Sequence, residues 1–69
     1  MKKYVIELWC ADNDHPYLYA DTLGRVVKFK MRATATKKAA QLLNEAEDPD
    51  RWHGYYITSH PSKYAKPLL

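Results

Sequence analysis

The sequence predicts a small α+β domain: a three- or four-stranded, mainly antiparallel sheet with one helix packed on one face, in the element order βββαβ. Apolar and polar residues alternate at the beginning, the middle and the end of the chain, as they do in strands with one buried face. Before the last of these stretches, apolar residues recur every three or four positions, the period of an amphipathic helix. With 69 residues, the chain is long enough for one such domain with a small core.

The first two strands are predicted on either side of a turn. From Lys2 to Ala11, alternate residues beginning at Tyr4 are apolar and fall on one face. The next residues, ADNDHP, have the composition of a turn. A short second strand is predicted from Tyr17 to Ala20.

The third strand is predicted from Arg25 to Ala33, in the stretch RVVKFKMRA. Gly24 precedes it and is expected to supply the positive φ of a tight turn. The apolar residues of the stretch alternate with Lys28, Lys30 and Arg32, so every outward position of the predicted strand is positively charged.

The helix is predicted to begin at Thr36, whose hydroxyl suits the N-cap position, with Thr34 as the alternative cap. It is predicted to end near Glu47, because Pro49 disfavours helical geometry in the residue before it. Its buried stripe is predicted to be Ala39, Leu42, Leu43 and Ala46, and its water-facing residues Lys37, Lys38, Gln41, Asn44 and Glu45.

The last strand is predicted from Trp52 to His60, with Pro61 ending it. The residues after Pro61 show no periodicity and are expected to be extended or frayed. The chain is therefore divided into a single α+β domain at residues 1–60 and an extended C-terminal tail at residues 61–69.

A single helix can cover only one face of a sheet of this size. The covered face is expected to hold Tyr4, Ile6, Leu8, Val27, Phe29, Met31 and Ile57. The opposite, uncovered face is expected to hold Val5, Glu7, Trp9, Lys28, Lys30, Arg32, Tyr56 and Thr58.

The uncovered face is the main candidate for a binding site. Positive side chains hold phosphates or acidic protein groups, and aromatic rings stack on bases or anchor protein interfaces. Solvation alone would produce the same alternation, so a solvated face, a protein partner and a nucleic acid all remain open. The net charge of +3 permits contact with nucleic acid without requiring it. The candidate partner-binding residues are Lys28, Lys30, Arg32, Lys37, Lys38, Trp9 and Tyr56.

The predicted helix carries charges at the ends that its dipole disfavours. Lys37 and Lys38 lie at its start, and the acidic residues Glu45, Glu47, Asp48 and Asp50 lie at or beyond its end. Each misplaced charge costs about 0.3–1 kcal/mol at low salt. Three explanations are open: solvated ends with a small penalty, pairing with other elements, or contact with a partner.

The sequence contains no motif for catalysis or metal binding. Cys10 is the only cysteine and falls in register with the apolar residues of the first strand, so we predict a buried hydrophobic role for it. The loop from Asp12 to His15 lacks the glycine and the glutamate of a calcium loop, and His53 and His60 match no zinc pattern. We therefore expect a protein that is not an enzyme, with no catalytic residue, no metal and no cofactor.

The run YVIELW, the hairpin after it, the stretch RATATKKAAQLL and the closing WHGYYIT resemble a recurring kind of small phage or prophage accessory protein. The likeness spans Tyr4 to Thr58. Some small phage proteins of this size inhibit host defences, including CRISPR surveillance complexes. The resemblance implies a binding protein in the cytoplasm of a bacterial host, and it carries over no catalytic residue.

The main functional prediction is a non-enzymatic binding module that inhibits a host protein or ribonucleoprotein complex through a basic and aromatic surface, as anti-CRISPR inhibitors do. One alternative is a protein that binds single-stranded nucleic acid on the uncovered sheet face. A further alternative is a small homodimeric structural protein. No membrane partner is expected, because no apolar run approaches the ~20 residues of a membrane helix.

Overall fold

The computed structural model describes residues 3–11, 14–47, 50 and 52–68. Its elements are β1 (Val5–Cys10), β2 (Tyr17–Leu18), α1 (Arg32–Asn44), β3 (Trp52–Thr58) and β4 (Lys66–Pro67). The strands form one sheet in the order β3-β1-β2-β4, with β1 antiparallel to both neighbours and β4 parallel to β2. The predicted α+β class, with a mainly antiparallel sheet and one helix, is confirmed. The element order is ββαββ rather than βββαβ.

The core lies between α1 and one face of the sheet. Ile6 and Leu8 of β1 and Ala35 and Ala39 of α1 form its buried centre, and Leu8, at 3%, is the most exposed of the four. The small alanine side chains let the helix backbone approach the sheet closely. Larger, partly buried side chains surround this centre, among them Tyr4, Tyr17, Phe29, Leu42, Leu43, Tyr55, Ile57 and Leu68.

The segment predicted to be the third strand forms no ladder, and that prediction is wrong. Between Arg25 and Ala33 only two residues form bridges, Val26 with Ala20 and Phe29 with Tyr4. The Val27 N–H donates to the Tyr19 carbonyl oxygen at 3.0 Å, and the Arg25 carbonyl oxygen accepts from the Asp21 N–H at 2.8 Å. Phe29 exchanges hydrogen bonds with Tyr4, so the segment lies beside the sheet through isolated bridges and does not form a continuous ladder.

The helix begins earlier than predicted. Met31 occupies the N-cap position without a side-chain cap, and Arg32 is the first helical residue. Thr36, the predicted cap, lies in the second turn, where its hydroxyl donates a hydrogen bond to the Arg32 carbonyl oxygen at 3.0 Å. Thr34, the alternative cap, also lies within the helix. Met31 is 60% exposed, so its predicted place on the covered face is wrong.

The far end of the helix and one of its faces also differ from the prediction. The helix ends at Asn44 rather than near Glu47, and Pro49 lies outside the described residues. Lys38 was expected to face water, but it is half-buried with its Nζ 5.7 Å from the centroid of the Tyr19 ring.

The C-terminal segment folds back onto the sheet. The Ser62 backbone N–H donates a hydrogen bond to Glu7 Oε2 at 2.7 Å, and β4 then pairs alongside β2. Glu7 projects from the sheet face opposite the helix, so this contact covers part of the face predicted to be open. Glu7 is 7% exposed and Val5 is 4% exposed, so the prediction that both lie on an uncovered face is wrong.

Candidate interaction surfaces

The seven residues predicted to bind a partner lie in two places. Five of them precede α1 or lie in its first half and are called here the basic corner: Lys28, Lys30, Arg32, Lys37 and Lys38. The other two, Trp9 and Tyr56, are called the aromatic pair. Arg32 lies beside Tyr4, and Trp9 follows Tyr4 by five positions along the first strand, about 16 Å. Tyr56 directly precedes Ile57, to whose carbonyl oxygen Arg32 bonds, but it pairs with Glu7 and so lies on the sheet face opposite the helix. The stripe predicted on one sheet face is therefore two separate surfaces.

Arg32 joins the basic corner to the sheet. Its guanidinium Nη1 donates a hydrogen bond to the Ile57 carbonyl oxygen at 3.2 Å. Its Cζ lies 5.4 Å from the centroid of the Tyr4 ring, and Lys3 Nζ lies 5.3 Å from the same centroid. Tyr4 thus contacts two cations through its ring.

Lys28, Lys30, Arg32 and Lys37 are the solvent-exposed cations of the basic corner. None of them forms a salt bridge with another residue that the structure describes; the salt bridge found there joins Arg25 Nε to Asp21 Oδ2 at 3.1 Å. The sequence contains no acidic residue between Arg25 and the end of α1. The free amide groups at the start of the helix add a further partial positive charge. The corner is therefore a positive surface with no counter-charge of its own.

The turn that leads into the basic corner is held by Asp21. Its Oδ1 accepts hydrogen bonds from the backbone N–H groups of Leu23 at 2.9 Å and Arg25 at 3.0 Å. Gly24 takes the positive φ that was predicted for it, 81°. The Arg25 N–H, helped by the Leu23 N–H and the Arg25 guanidinium, lowers the pKa of the Asp21 carboxyl below its ordinary 3.8.

The aromatic pair lies beside an open groove. The rings of Trp9 and Tyr56 meet edge to face, with centroids 6.5 Å apart and planes at 85°. The groove has a volume of about 480 Å³ and is lined by Trp9, His53, Gly54, Tyr55 and Tyr56. Tyr56 is 64% exposed, whereas Trp9 is half-buried. Gly54 has a φ of 156°, which favours glycine, and no atom lies within 4 Å of the place where a Cβ would be.

A third surface, the outer edge of β3, has no counterpart among the sequence predictions. β3 is an end strand of the sheet, so one side of its backbone faces no neighbouring strand among the residues that the structure describes. Its sequence WHGYYIT contains no Lys, Arg, Asp, Glu or Pro. That composition is visible in the sequence, but it acquires a meaning only when the strand order is known.

The structure also shows where the residues considered for catalysis and metal binding lie. Cys10 is 2% exposed, which confirms its predicted burial. Within residues 3–11, 14–47, 50 and 52–68, no three His, Cys, Asp or Glu side chains are grouped to hold a metal ion. Of the loop that begins at Asp12, the first two residues lie outside the described ranges. No helix in the described part of the chain has the length and apolarity needed to cross a membrane.

Comparisons with family models, with curated proteins and with solved structures gave no match to this chain. Its function is therefore argued from these surfaces.

Proposed function

We propose that this protein is a non-enzymatic binding module of the phage accessory type, which inhibits a protein or ribonucleoprotein complex in the cytoplasm of its bacterial host. In this proposal the basic corner is the main contact. The observation that carries it is the uncompensated charge of Lys28, Lys30 and Lys37, which are exposed and have no acidic partner among the described residues. The resemblance of the sequence to small phage proteins suggests the kind of partner.

The position of the cations favours an acidic partner outside the chain. Arg32 is the first helical residue of α1, where the helix dipole makes a positive charge unfavourable by about 0.3–1 kcal/mol, whereas Lys37 lies in the second turn, where this effect has faded. Helix stability therefore does not account for Arg32, and an acidic surface would offset its cost. Met31, which is 60% exposed next to Arg32, adds an apolar group of the kind enriched in the centres of protein interfaces.

The aromatic pair offers a second contact at some distance from the first. Exposed tyrosines beside a groove are frequent anchors of protein interfaces. About 16 Å of strand separates Trp9 from Tyr4, which marks the basic corner. A partner that touches both surfaces must be a macromolecule, which fits a large host complex better than a small ligand.

The geometry gives less support to binding of single-stranded nucleic acid. Such proteins place flat aromatic rings next to cations, so that bases stack while phosphates are held. Here the ring beside the cations, Tyr4, already contacts Lys3 and Arg32. The more exposed ring, Tyr56, lies in β3 directly opposite the buried carboxylate of Glu7 in β1, where a negative charge would repel phosphate.

The experiment that tests the proposal is a capture of host complexes from bacterial lysate with the tagged protein, with and without nuclease. The informative variant is Lys28→Glu with Lys30→Glu. The control is Lys63→Glu with Lys66→Glu, which changes the net charge by the same amount at two exposed positions near the other end of the chain. Circular dichroism verifies that both variants are folded. A captured complex is then assayed for loss of its activity when purified protein is added.

We expect one complex that resists nuclease and is inhibited by the protein. It should bind the basic-corner variant more than about tenfold more weakly, because the introduced glutamates would face acidic groups of the partner. The control variant should bind nearly as well as the wild type. Loss of every partner after nuclease treatment would favour nucleic acid. Equal binding by the basic-corner variant would show that its lysines are only solvated.

A further inference from the structure

The outward backbone groups of β3 pair with no other strand in the described part of the chain. The backbone N–H and carbonyl groups of Ile6 in β1 point towards β2, since the carbonyl oxygen accepts a hydrogen bond from the Tyr19 N–H at 3.0 Å. Its partner in β3 is Ile57, so the backbone groups of Ile57 point away from β1, and those of Tyr55 do the same two residues earlier. The Arg32 guanidinium bonds to this outward Ile57 carbonyl. Tyr55 has no backbone hydrogen bond outside its ladder to another described residue.

The two edges of the sheet are built differently. At the β4 edge the exposed residues are a lysine and a proline in a strand of two residues, which is how proteins protect an edge from pairing with another chain. At the β3 edge a strand of seven residues carries neither a formal charge nor a proline. The second edge lacks that protection, which suggests that another strand pairs with it.

We propose that the outer edge of β3 pairs with β3 of a second copy of this chain, forming a two-fold symmetric dimer with a continuous sheet. The symmetry makes the two strands antiparallel. Tyr55 is the midpoint of Trp52–Thr58, so a dimer axis beside Tyr55 gives the longest overlap. The pairing of β3 with β1 shifts register between Gly54, which pairs with Trp9, and Trp52, which pairs with Cys10. This irregularity lies on the Trp52 side of Gly54, so the centre of the new ladder at Tyr55 is regular.

This register fills the groove beside the aromatic pair. With the axis at Tyr55, the Tyr56 side chain lies opposite Gly54 of the second copy. No atom lies within 4 Å of the place where a Cβ of Gly54 would be, and the residue that pairs with Gly54 in β1 is Trp9. The exposed Tyr56 ring would therefore occupy the partner's groove and contact the partner's indole, and the reverse contact follows by symmetry. An aromatic ring over a cross-strand glycine is a stabilising arrangement in sheets.

The charges at the two ends of β3 complement each other in the same dimer. The Ile57 end is basic, because Arg32 bonds there. The Trp52 end has an excess of acidic residues: Glu47 lines a cavity together with Trp52, and Asp50 precedes Trp52 by two residues, with Arg51 as the cation between Asp50 and Trp52. Two-fold symmetry brings the basic end of one copy to the acidic end of the other. The positive charge of Arg32 at the start of α1 would thereby face the acidic residues of the second copy.

The test measures mass in solution by analytical ultracentrifugation from about 10 µM to about 1 mM, the range in which a small interface associates. We expect the mass to rise from 8.1 kDa towards twice that value. Tyr56→Ala should raise the dissociation constant about tenfold or more. Tyr64→Ala is the matched control: Tyr64 is 65% exposed, against 64% for Tyr56, and its removal should change the constant less than about twofold. Glu47→Lys with Asp50→Lys should weaken the dimer several-fold.

A second measurement reports on the edge in the wild-type protein. Hydrogen exchange of the Tyr55 amide should slow as the concentration rises, because this N–H gains a partner only in the dimer. A monomer at every concentration would overturn the inference, as would a dimer that Tyr56→Ala leaves unchanged or in which Tyr55 exchanges as fast as in the monomer. The inference does not depend on the proposed host partner, because dimerisation is measured on the purified protein alone.

Discussion

The buried carboxylate of Glu7 ties the C-terminal segment to the middle of the sheet, and replacing it tests how that segment is held. Its Oε2 accepts a 2.7 Å hydrogen bond from the Ser62 N–H, 55 residues away in sequence, and the side chain is 7% exposed. Two substitutions separate charge from contact. Glu7→Gln keeps the shape and an acceptor oxygen, while Glu7→Ala removes both the acceptor and the buried methylene groups.

The expected losses follow from the kind of hydrogen bond. A bond to a charged group contributes about 1.5–3 kcal/mol to stability and a neutral one about 0.5–1.5 kcal/mol, so Glu7→Gln should lower the free energy of unfolding by about 1 kcal/mol. Glu7→Ala also leaves a cavity and an unpaired N–H, and should cost about 2–4 kcal/mol. In a domain of this size 1 kcal/mol corresponds to roughly 4–8 °C in Tm.

The assay is urea and thermal unfolding followed by circular dichroism, for the wild type, both Glu7 variants and a chain truncated before Ser62. If the bond to Ser62 is the cause, Glu7→Gln should lose most of its effect in the truncated chain, since the bond is already absent there. Burying a carboxylate also costs desolvation energy. A Glu7→Gln variant as stable as the wild type would therefore refute the reasoning, because it would mean that desolvation cancels the bond.

Three further predictions concern the core and the turn. Ala39→Leu should cost about 1–3 kcal/mol in urea unfolding because Ala39 is fully buried against the sheet, whereas Ala40→Leu on the exposed side of α1 should stay within about 0.5 kcal/mol. Leu68→Ala should cost about 1–2 kcal/mol, less than a fully buried leucine, because Leu68 is only partly buried against the core; a loss below about 0.5 kcal/mol would show that the C-terminal segment adds little. The lowered pKa of Asp21 means that its carboxylate stabilises the fold above an unfolded pKa of 3.8 and that this contribution is lost as the pH falls through the lowered folded value. The stability difference between wild type and Asp21→Asn should therefore shrink below about pH 4, and a difference that is constant with pH would contradict this account.

The sequence allowed prediction of the elements whose pattern is local. Alternation along β1 identified Ile6 and Leu8 as core residues, and the helical spacing identified Ala39. The same reasoning failed from Arg25 to Met31, where alternation marks a segment with only two bridged residues. Alternation indicates which side chains point to opposite faces of an extended segment. It does not show whether a neighbouring backbone is present to form a ladder.

For the candidate surfaces too, the sequence predicted one part and only the fold showed the rest. The sequence identified the cations of the basic corner and the aromatic pair, because charge and ring are properties of each residue. That they lie on separate surfaces followed only from the fold, since Arg32 belongs to the helix and bonds to Ile57 instead of continuing a strand beside Trp9.

The sequence by itself determined the fold class, the buried face of β1, the buried cysteine and the excess of positive charge before and within α1. Tertiary structure alone decided where the helix begins, that Glu7 is buried, and that β3 is an unprotected edge while β4 is a protected one. The physical reason is the distance along the sequence over which each effect acts. Side-chain periodicity acts over a few residues, whereas an edge, a covered face and the bond from Ser62 to Glu7 depend on how distant segments return to one another.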